Sequence, residues 1–354
     1  MNYAELKAAG ISPEALLDFS VCTNPFMPPE EIKEMLLGDF ALDRYPDSET
    51  TELRQRLADK LKIAPDNIIA GSGTTELIRL IALAYFSKGD EILLLEPTYG
   101  EYELAGQLVG ANVVKHWSRA EDGFVPQIEE VIELINQHCP KALFICNPNN
   151  PTGRYLSRPE IEKILAAIGD GLLVLDEAYL SFVETPWASI ELISRGNVVL
   201  LRSMTKDYAL TGLRLGYAIA GKEIINTLRR VCPPWNVNVV AQRVGVRVLE
   251  NEEALDESRQ KIREAKQFFL KGLSQLGLPP VPSDTHYFLV RTGDAEAFRA
   301  QLLKHGIQVR DCTSFGLPEF VRISTRTIPE CQKLLAVIKE LKDKGELIVQ
   351  ERLF

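Results

Sequence analysis

The chain has 354 residues, 45% of them hydrophobic, enough to bury one large core or two smaller ones, and no repeat or low-complexity tract marks it as disordered. Forty basic residues against forty-nine acidic ones give a net charge of −9, with no basic run to track a phosphate backbone, so no nucleic-acid partner is expected. No apolar run approaches the roughly 20 residues of a membrane span, and Met1-Asn-Tyr-Ala-Glu-Leu-Lys7 lacks the basic-then-apolar order of a signal peptide, so no membrane partner is expected and the chain is placed in the cytoplasm.

In chain order, Thr51 to Leu61 carries apolar residues at helical spacing, and Ile68-Ile-Ala70 then leads into Gly71-Ser-Gly73-Thr74-Thr75-Glu76, a strand handing over to a helix. Glu91–Glu96, Ala142–Cys146, Leu172–Leu175 and Asn197–Leu201 are short apolar runs closed by turn or polar residues, the pattern of buried central strands. Helical segments alternate with them, which predicts an α/β fold with a mostly parallel sheet covered by helices. After Pro233-Pro234 the texture changes. A charged helix is predicted over about 249–275, then strands near Tyr287–Val290 and Phe320–Ile323 alternating with two helices, a smaller α+β unit. The expected organisation is an N-terminal arm and linker over 1–40, a large domain over 41–240 and a small C-terminal domain over 241–354. The six cysteines include no CxxC pair and the four histidines no HxH or HxxxH, so free thiols and no metal centre are expected.

The chemistry concentrates in three segments. Ser203-Met-Thr205-Lys206 and Gly212-Leu-Arg214 place one lysine among hydroxyls and an arginine. A lysine amine condenses with an aldehyde cofactor when its surroundings lower its pKa, and two hydroxyls with a guanidinium can hold a phosphate dianion. A lone loop lysine is ordinarily a solvated surface group, and these neighbours are what set Lys206 apart. Gly71-Ser-Gly73-Thr74-Thr75 opens a helix whose first amides suit a phosphate, although a tight turn explains the glycines equally well. Asp176 ends an apolar strand, where a carboxylate needs a partner such as a protonated pyridine nitrogen; an exposed strand-end acid is the alternative. Tyr179 and Asn150 can hydrogen-bond a phenolic oxygen and Tyr99 can stack on a ring, while both tyrosines read equally as core aromatics taken singly. Together these residues describe a pyridoxal phosphate site.

The order of Arg44-Tyr-Pro-Asp47, Gly71-Ser-Gly73, Pro97-Thr-Tyr99, Pro148-Asn-Asn-Pro-Thr-Gly153, Asp176-Glu-Ala-Tyr179, Ser203-Met-Thr-Lys206, Gly212-Leu-Arg214-Leu-Gly216-Tyr217 and Phe320-Val-Arg322-Ile-Ser324 resembles the fold type I pyridoxal phosphate enzymes of the class I/II aminotransferase superfamily over nearly the whole chain. Within it the chain resembles the branch that holds histidinol-phosphate aminotransferase and threonine-phosphate decarboxylase. The resemblance implies that Lys206 carries the cofactor as a Schiff base, that Asp176 pairs with the pyridine nitrogen, and that Asn150 and Tyr179 bind the phenolate oxygen. It further implies that Ser203, Thr205, Arg214, Gly73 and the amides of Thr74 and Thr75 hold the phosphate. Tyr45 matches a tyrosine that reaches the partner subunit's cofactor, so a homodimer is implied. Arg322 matches the arginine for the substrate carboxylate, Arg310 a second arginine for a distal phosphate, and Asn24 borders the substrate in relatives. Either arginine reads alternatively as a structural ion-pair partner.

The implied substrate is a small anionic amino acid or amino phosphate. Aminotransferase is the first reading, because most of the superfamily transaminates, and threonine-phosphate decarboxylase is the second. Leu17-Asp-Phe-Ser20, Arg202–Lys206, Pro234-Trp-Asn-Val-Asn238 and Arg310-Asp-Cys312 look closer to the decarboxylase, whereas Cys22 two before Asn24 and Thr211 before Gly212 depart from it. A non-catalytic binding protein on the same fold is a third reading, and the intact Lys206 and Asp176 speak against it.

Overall fold

The computed structural model describes residues 3–8, 10–27, 30–38, 40–250 and 252–347. The first strand, β1 (Leu17–Asp18), is followed by the seven that build the large sheet: β2 (Ile68–Gly71), β3 (Glu91–Glu96), β4 (Asn112–Trp117), β5 (Ala142–Cys146), β6 (Leu172–Asp176), β7 (Val198–Ser203) and β8 (Gly216–Ala220). Their order across the sheet is β2-β8-β7-β6-β5-β3-β4. From β7 to β4 all neighbours are parallel, and only β8 runs against its two neighbours. The central parallel strands β5 and β6 are buried along their whole length, which is why they read as apolar runs, β6 up to its final Asp176.

The reversal of β8 shapes the site. Gly216, at its start, pairs with Gly71 at the end of β2 and with Ser203 at the end of β7. Three chain segments therefore meet at one sheet edge, and a Cβ on residue 216 would lie 2.9 Å from the Thr74 nitrogen and 3.0 Å from the Arg202 carbonyl oxygen. Glycine is what lets them close up.

The second sheet comprises β9 (Tyr287–Arg291), β11 (Arg310–Asp311) and β12 (Phe320–Ser324), antiparallel in the order β11-β12-β9, while the short β10 (Ile307–Gln308) pairs with β1. Helices Glu252–Gln275, Ala295–Lys304 and Ile328–Asp343 cover it. Phe269, Phe288, Phe298 and Ile338 fill its core, joined by Phe19 from the N-terminal segment. Residues 17–19 thus pack with the C-terminal part of the chain.

The predicted strands and helices are present within a few residues of their expected ends. Elements outside the sequence reading include the edge strand β4, the small-residue strand β8 and helix Val239–Val248. That helix is rich in β-branched valine, a poor helix former in isolation. It is held by the Asn238 side chain, which accepts from the Ala241 amide at 2.8 Å, and by Gly245 packing against Leu53 and Leu215.

Candidate active site

A cavity of about 280 Å³ opens where the ends of β6 and β7 face the small sheet. Of the residues singled out from the sequence, all but Asn24 and Tyr45 line it.

One end is built for an anion. Gly73 (φ 78°) caps helix Thr74–Tyr85, whose first amides have no carbonyl one turn back to bond. Glu76 holds this turn by accepting from the Ser72 amide and from Asn236 Nδ2, each at 2.7 Å. Arg214 stands at φ 57°, and its guanidinium lies so close across the helix start that a Cβ on residue 73 would come within 2.7 Å of Nη2. Ser203 Oγ and Thr205 Oγ1, 2.7 Å apart, complete the cradle, and Thr75 Oγ1 lies 3.2 Å from the Tyr99 hydroxyl.

In the middle stand an acid and an amine. Asp176, the last residue of β6, is buried. Its Oδ2 accepts from the Tyr102 hydroxyl at 2.8 Å and its Oδ1 from the Ala178 amide at 3.0 Å. Burial pushes its pKa up to about 6 against the pull of those two donors. Lys206 sits on the single turn Met204–Asp207, capped by Ser203, and desolvation lowers its pKa. Its Nζ is 5.9 Å from the centre of the Tyr179 ring, which meets Tyr287 edge-on at 4.8 Å. Burial holds the Tyr179 hydroxyl protonated, hence a donor.

The far wall carries two arginines. Arg310 on β11 and Arg322 on β12 are register partners, so two like charges sit side by side, an arrangement that costs stability unless something anionic fits between. Arg322 is buried; it donates to Asn150 Oδ1 and, at 2.7 Å, to the Ser20 carbonyl, and its Nε has no protein partner. Arg310 is exposed, bonded to Ser314 Oγ at 2.7 Å and lying over the Phe315 ring at 5.4 Å.

Residues 14–338 match the family described as Aminotransferase class I and II. The chain belongs to the class I and II aminotransferases. A histidinol-phosphate aminotransferase of Moorella thermoacetica is 33% identical over 326 residues, 90% of this chain and 83% of that protein. Among solved structures, an L-threonine-O-3-phosphate decarboxylase from Porphyromonas gingivalis is 27% identical, with a TM-score of 0.82 over 92% of this chain and 99% of its own. A histidinol-phosphate aminotransferase from Sinorhizobium meliloti in complex with pyridoxal-5'-phosphate, 24% identical, has a TM-score of 0.87 over 96% of this chain and 94% of that one. The chain is thus a pyridoxal phosphate-dependent enzyme with the fold expected of it. The residues present fit that cofactor: a phosphate-sized anion cradle, a carboxylate kept poised by burial, and a desolvated amine share one cavity.

Two expected site residues of this aminotransferase stand elsewhere. Asn24 does not line the cavity. Its amide donates to the Asp207 carbonyl at 3.0 Å and to Ser258 Oγ at 2.7 Å, its Oδ1 accepts from the Phe26 amide, and its own backbone N–H bonds the Lys206 carbonyl at 3.0 Å. It ties the N-terminal segment and the long helix Glu252–Gln275 to the lysine-bearing turn, and the cavity wall on this side is Ser20-Val21-Cys22 instead. Asn24→Ala removes the donor to the half-buried Asp207 carbonyl and to the buried Ser258 hydroxyl and is expected to cost about 2 kcal/mol, read as a lowered urea midpoint with an unchanged slope. Tyr45 is 77% exposed and stacks on Trp235 with ring centres 4.2 Å apart, away from this cavity.

Sequence reasoning passed over Tyr102, Cys146 and Phe315, all of which line the cavity. Tyr102 carries no local signal. It is one aromatic on helix Glu101–Leu108, and only the fold brings its hydroxyl to Asp176.

Proposed function

We propose that this enzyme transfers the amino group of a small phosphorylated amine, histidinol phosphate first among candidates, to a 2-oxo acid. The observation that carries the reading is one cavity with an anion cradle at one end, two arginines at the other and Lys206 between them. The Moorella relative's name supplies the candidate substrate. Bound there, pyridoxal phosphate supplies an aldehyde that condenses with amines and a ring that accepts the electrons of a bond broken at the substrate carbon.

In this reading Gly73, the Thr74 and Thr75 amides, Ser203, Thr205 and Arg214 hold the cofactor phosphate, and Tyr99 covers the ring. Asp176 meets the ring nitrogen, and Asn150 and Tyr179 donate to the ring oxygen. Lys206 holds the cofactor and then moves the proton at the reacting carbon, a task its lowered pKa suits because desolvation favours the neutral amine that can accept a proton. Arg322, immobilised by Asn150 and Ser20, orients a carboxylate or phosphate next to Lys206, and Arg310 receives a second anion at the mouth. The enzyme works as a cytoplasmic homodimer in which the exposed Tyr45 reaches the partner's cofactor. Among the described residues no helix is long and apolar enough to cross a membrane, which agrees with that placement.

Threonine phosphate is the second candidate, with loss of CO2 instead of amino transfer. It is favoured by the Porphyromonas structure and by a pair of arginines able to grip one molecule's carboxylate and phosphate together. The deciding assay mixes holoenzyme with histidinol phosphate and 2-oxoglutarate, and separately with threonine phosphate. Glutamate from the first pair and no CO2 from threonine phosphate supports the aminotransferase; CO2 without glutamate overturns it.

Because Asp176 loses its charge as pH falls through about 6, cofactor affinity is expected to weaken below that pH. Tyr102 favours the charged form, so Tyr102→Phe removes a hydrogen bond to a carboxylate and is expected to move the midpoint upward by about one pH unit. Cofactor absorbance titrated against pH checks both statements.

A further inference from the structure

We propose that Trp117 is a positioning residue for substrate selection, its indole backing Gly316 and so fixing the turn that holds the Arg310 guanidinium at the mouth of the cavity. This rests on the reading of Arg310 as the group that meets the substrate's outer anion.

Trp117 is the last residue of β4 and pairs with Glu96 at the end of β3. The Ser118 amide bonds the Glu96 carbonyl at 2.7 Å, and the Glu96 carboxylate accepts from the Thr98 amide at 2.8 Å. The indole is therefore mounted on the same rigid strand end that leads to Tyr99 on the cavity wall. Facing it is the turn Cys312–Leu317 of the small sheet, closed by Gly316 N–H to the Thr313 carbonyl at 2.9 Å and Leu317 N–H to the Cys312 carbonyl at 3.1 Å. Gly316 has φ +75°, and a Cβ there would lie 3.1 Å from Trp117 Cη2 and 3.3 Å from Cζ3. The ring edge thus abuts the glycine backbone itself. Behind the contact Phe124 meets Phe320 edge-on at 5.5 Å, within a cluster that includes Cys312 and Leu289, so the turn is clamped at its base as well.

The two residues just before Gly316 are the ones that hold Arg310. Ser314 Oγ accepts from Nη2 at 2.7 Å, and the Phe315 ring lies 5.4 Å below the guanidinium. Arg310 is exposed and sits opposite Arg322, so repulsion and side-chain entropy both favour its swinging away into water. Ser314 and Phe315 oppose that motion only while the turn that bears them stays in place. Among the described residues, and apart from the glycine's own chain neighbours, Trp117 supplies all the atoms that a Cβ there would meet within 4 Å. Trp117 remains 48% exposed and so is not one of the buried core side chains.

Loosening the turn should weaken capture of an anion and leave the proton chemistry at Lys206 in place. The test is a double-mutant cycle on holoenzyme, with Trp117→Ala, Arg310→Ala and the combination, read as KM for histidinol phosphate and as the inhibition constant of inorganic phosphate. Trp117→Ala is expected to raise both constants by about tenfold with a much smaller change in kcat, and Trp117→Phe to restore most of the loss. In the Arg310→Ala background Trp117→Ala is expected to add almost nothing. A Trp117→Ala effect that persists in full without Arg310, or constants unchanged in the single variant, overturns the proposal. Should the alanine variant not accumulate with a full complement of cofactor, Trp117→Leu carries the same cycle. A parent enzyme that ignores histidinol phosphate yet turns over threonine phosphate, with inorganic phosphate inhibiting that reaction, defeats the substrate assignment alone, and the phosphate cycle read on threonine phosphate still decides the role of Trp117.

Discussion

Lys206→Ala is expected to lower kcat by about 10⁴-fold with little change in stability. The side chain is half-buried and projects into a cavity, so its loss exposes no core. What disappears is the amine itself. The other groups around the reacting position are ill suited to move a proton near neutral pH: burial holds the Tyr179 hydroxyl protonated, and the Cys22 thiol is likewise pushed up. Lys206→Arg is expected to fail nearly as completely, because a guanidinium keeps its proton throughout the working pH range. Steady-state kinetics on both variants, with urea midpoints to show that the fold persists, checks the pair of outcomes.

Asp176→Asn is expected to reduce kcat by about 10²–10³-fold and at the same time to stabilise the cofactor-free protein at neutral and alkaline pH. The two effects share one cause. The carboxyl is buried and its folded pKa of about 6 lies above the ordinary 3.8, so the cofactor-free fold prefers it protonated. A raised folded pKa contributes its full stability below the unfolded value near 4 and loses it as pH rises through 6. Above pH 6 the ionised form is therefore a burden of order 3 kcal/mol for a two-unit shift. The neutral amide escapes that burden while keeping the shape, and it forfeits the charge that a cationic ring nitrogen needs. Urea unfolding of both cofactor-free proteins should show stability curves that coincide below pH 4, separate between pH 4 and 6 and stay apart above 6. An Asp176→Asn variant that is both active and no more stable at pH 8 would remove Asp176 from the account.

The parts of the site legible in the sequence are those where local pattern and chemistry coincide. Leu172–Asp176 reads as a buried parallel strand because every residue before the acid is apolar, and an acid at the end of such a strand stands out. Ser203–Lys206 and Gly71–Thr75 are equally compact. The anion cradle they form is nonetheless a product of β8, which the sequence reading did not contain. Gly216–Ala220 is a short run of mostly small residues that becomes a strand because β2 and β7 pair with it on both sides. Only that reversal sets Arg214 beside Gly73. Tyr102 and Asn24 were obscured for the same reason in opposite directions. Tyr102 looks like one more helix aromatic, while Asn24 sits in a motif suggestive of substrate but spends its side chain on Asp207 and Ser258, 183 and 234 residues away. The facing of Arg310 and Arg322 likewise follows from register in a hairpin, which twelve residues of sequence separation do not reveal.

Lys206, among this chain's many lysines, is expected to be the one that holds pyridoxal phosphate. Borohydride reduction of the holoenzyme followed by proteolysis and mass mapping tests it directly. The cofactor's mass fixed on the peptide bearing Lys206, and on no other, is the expected result. Its appearance on a different lysine, or its absence from a protein that has taken up the cofactor, would contradict the account.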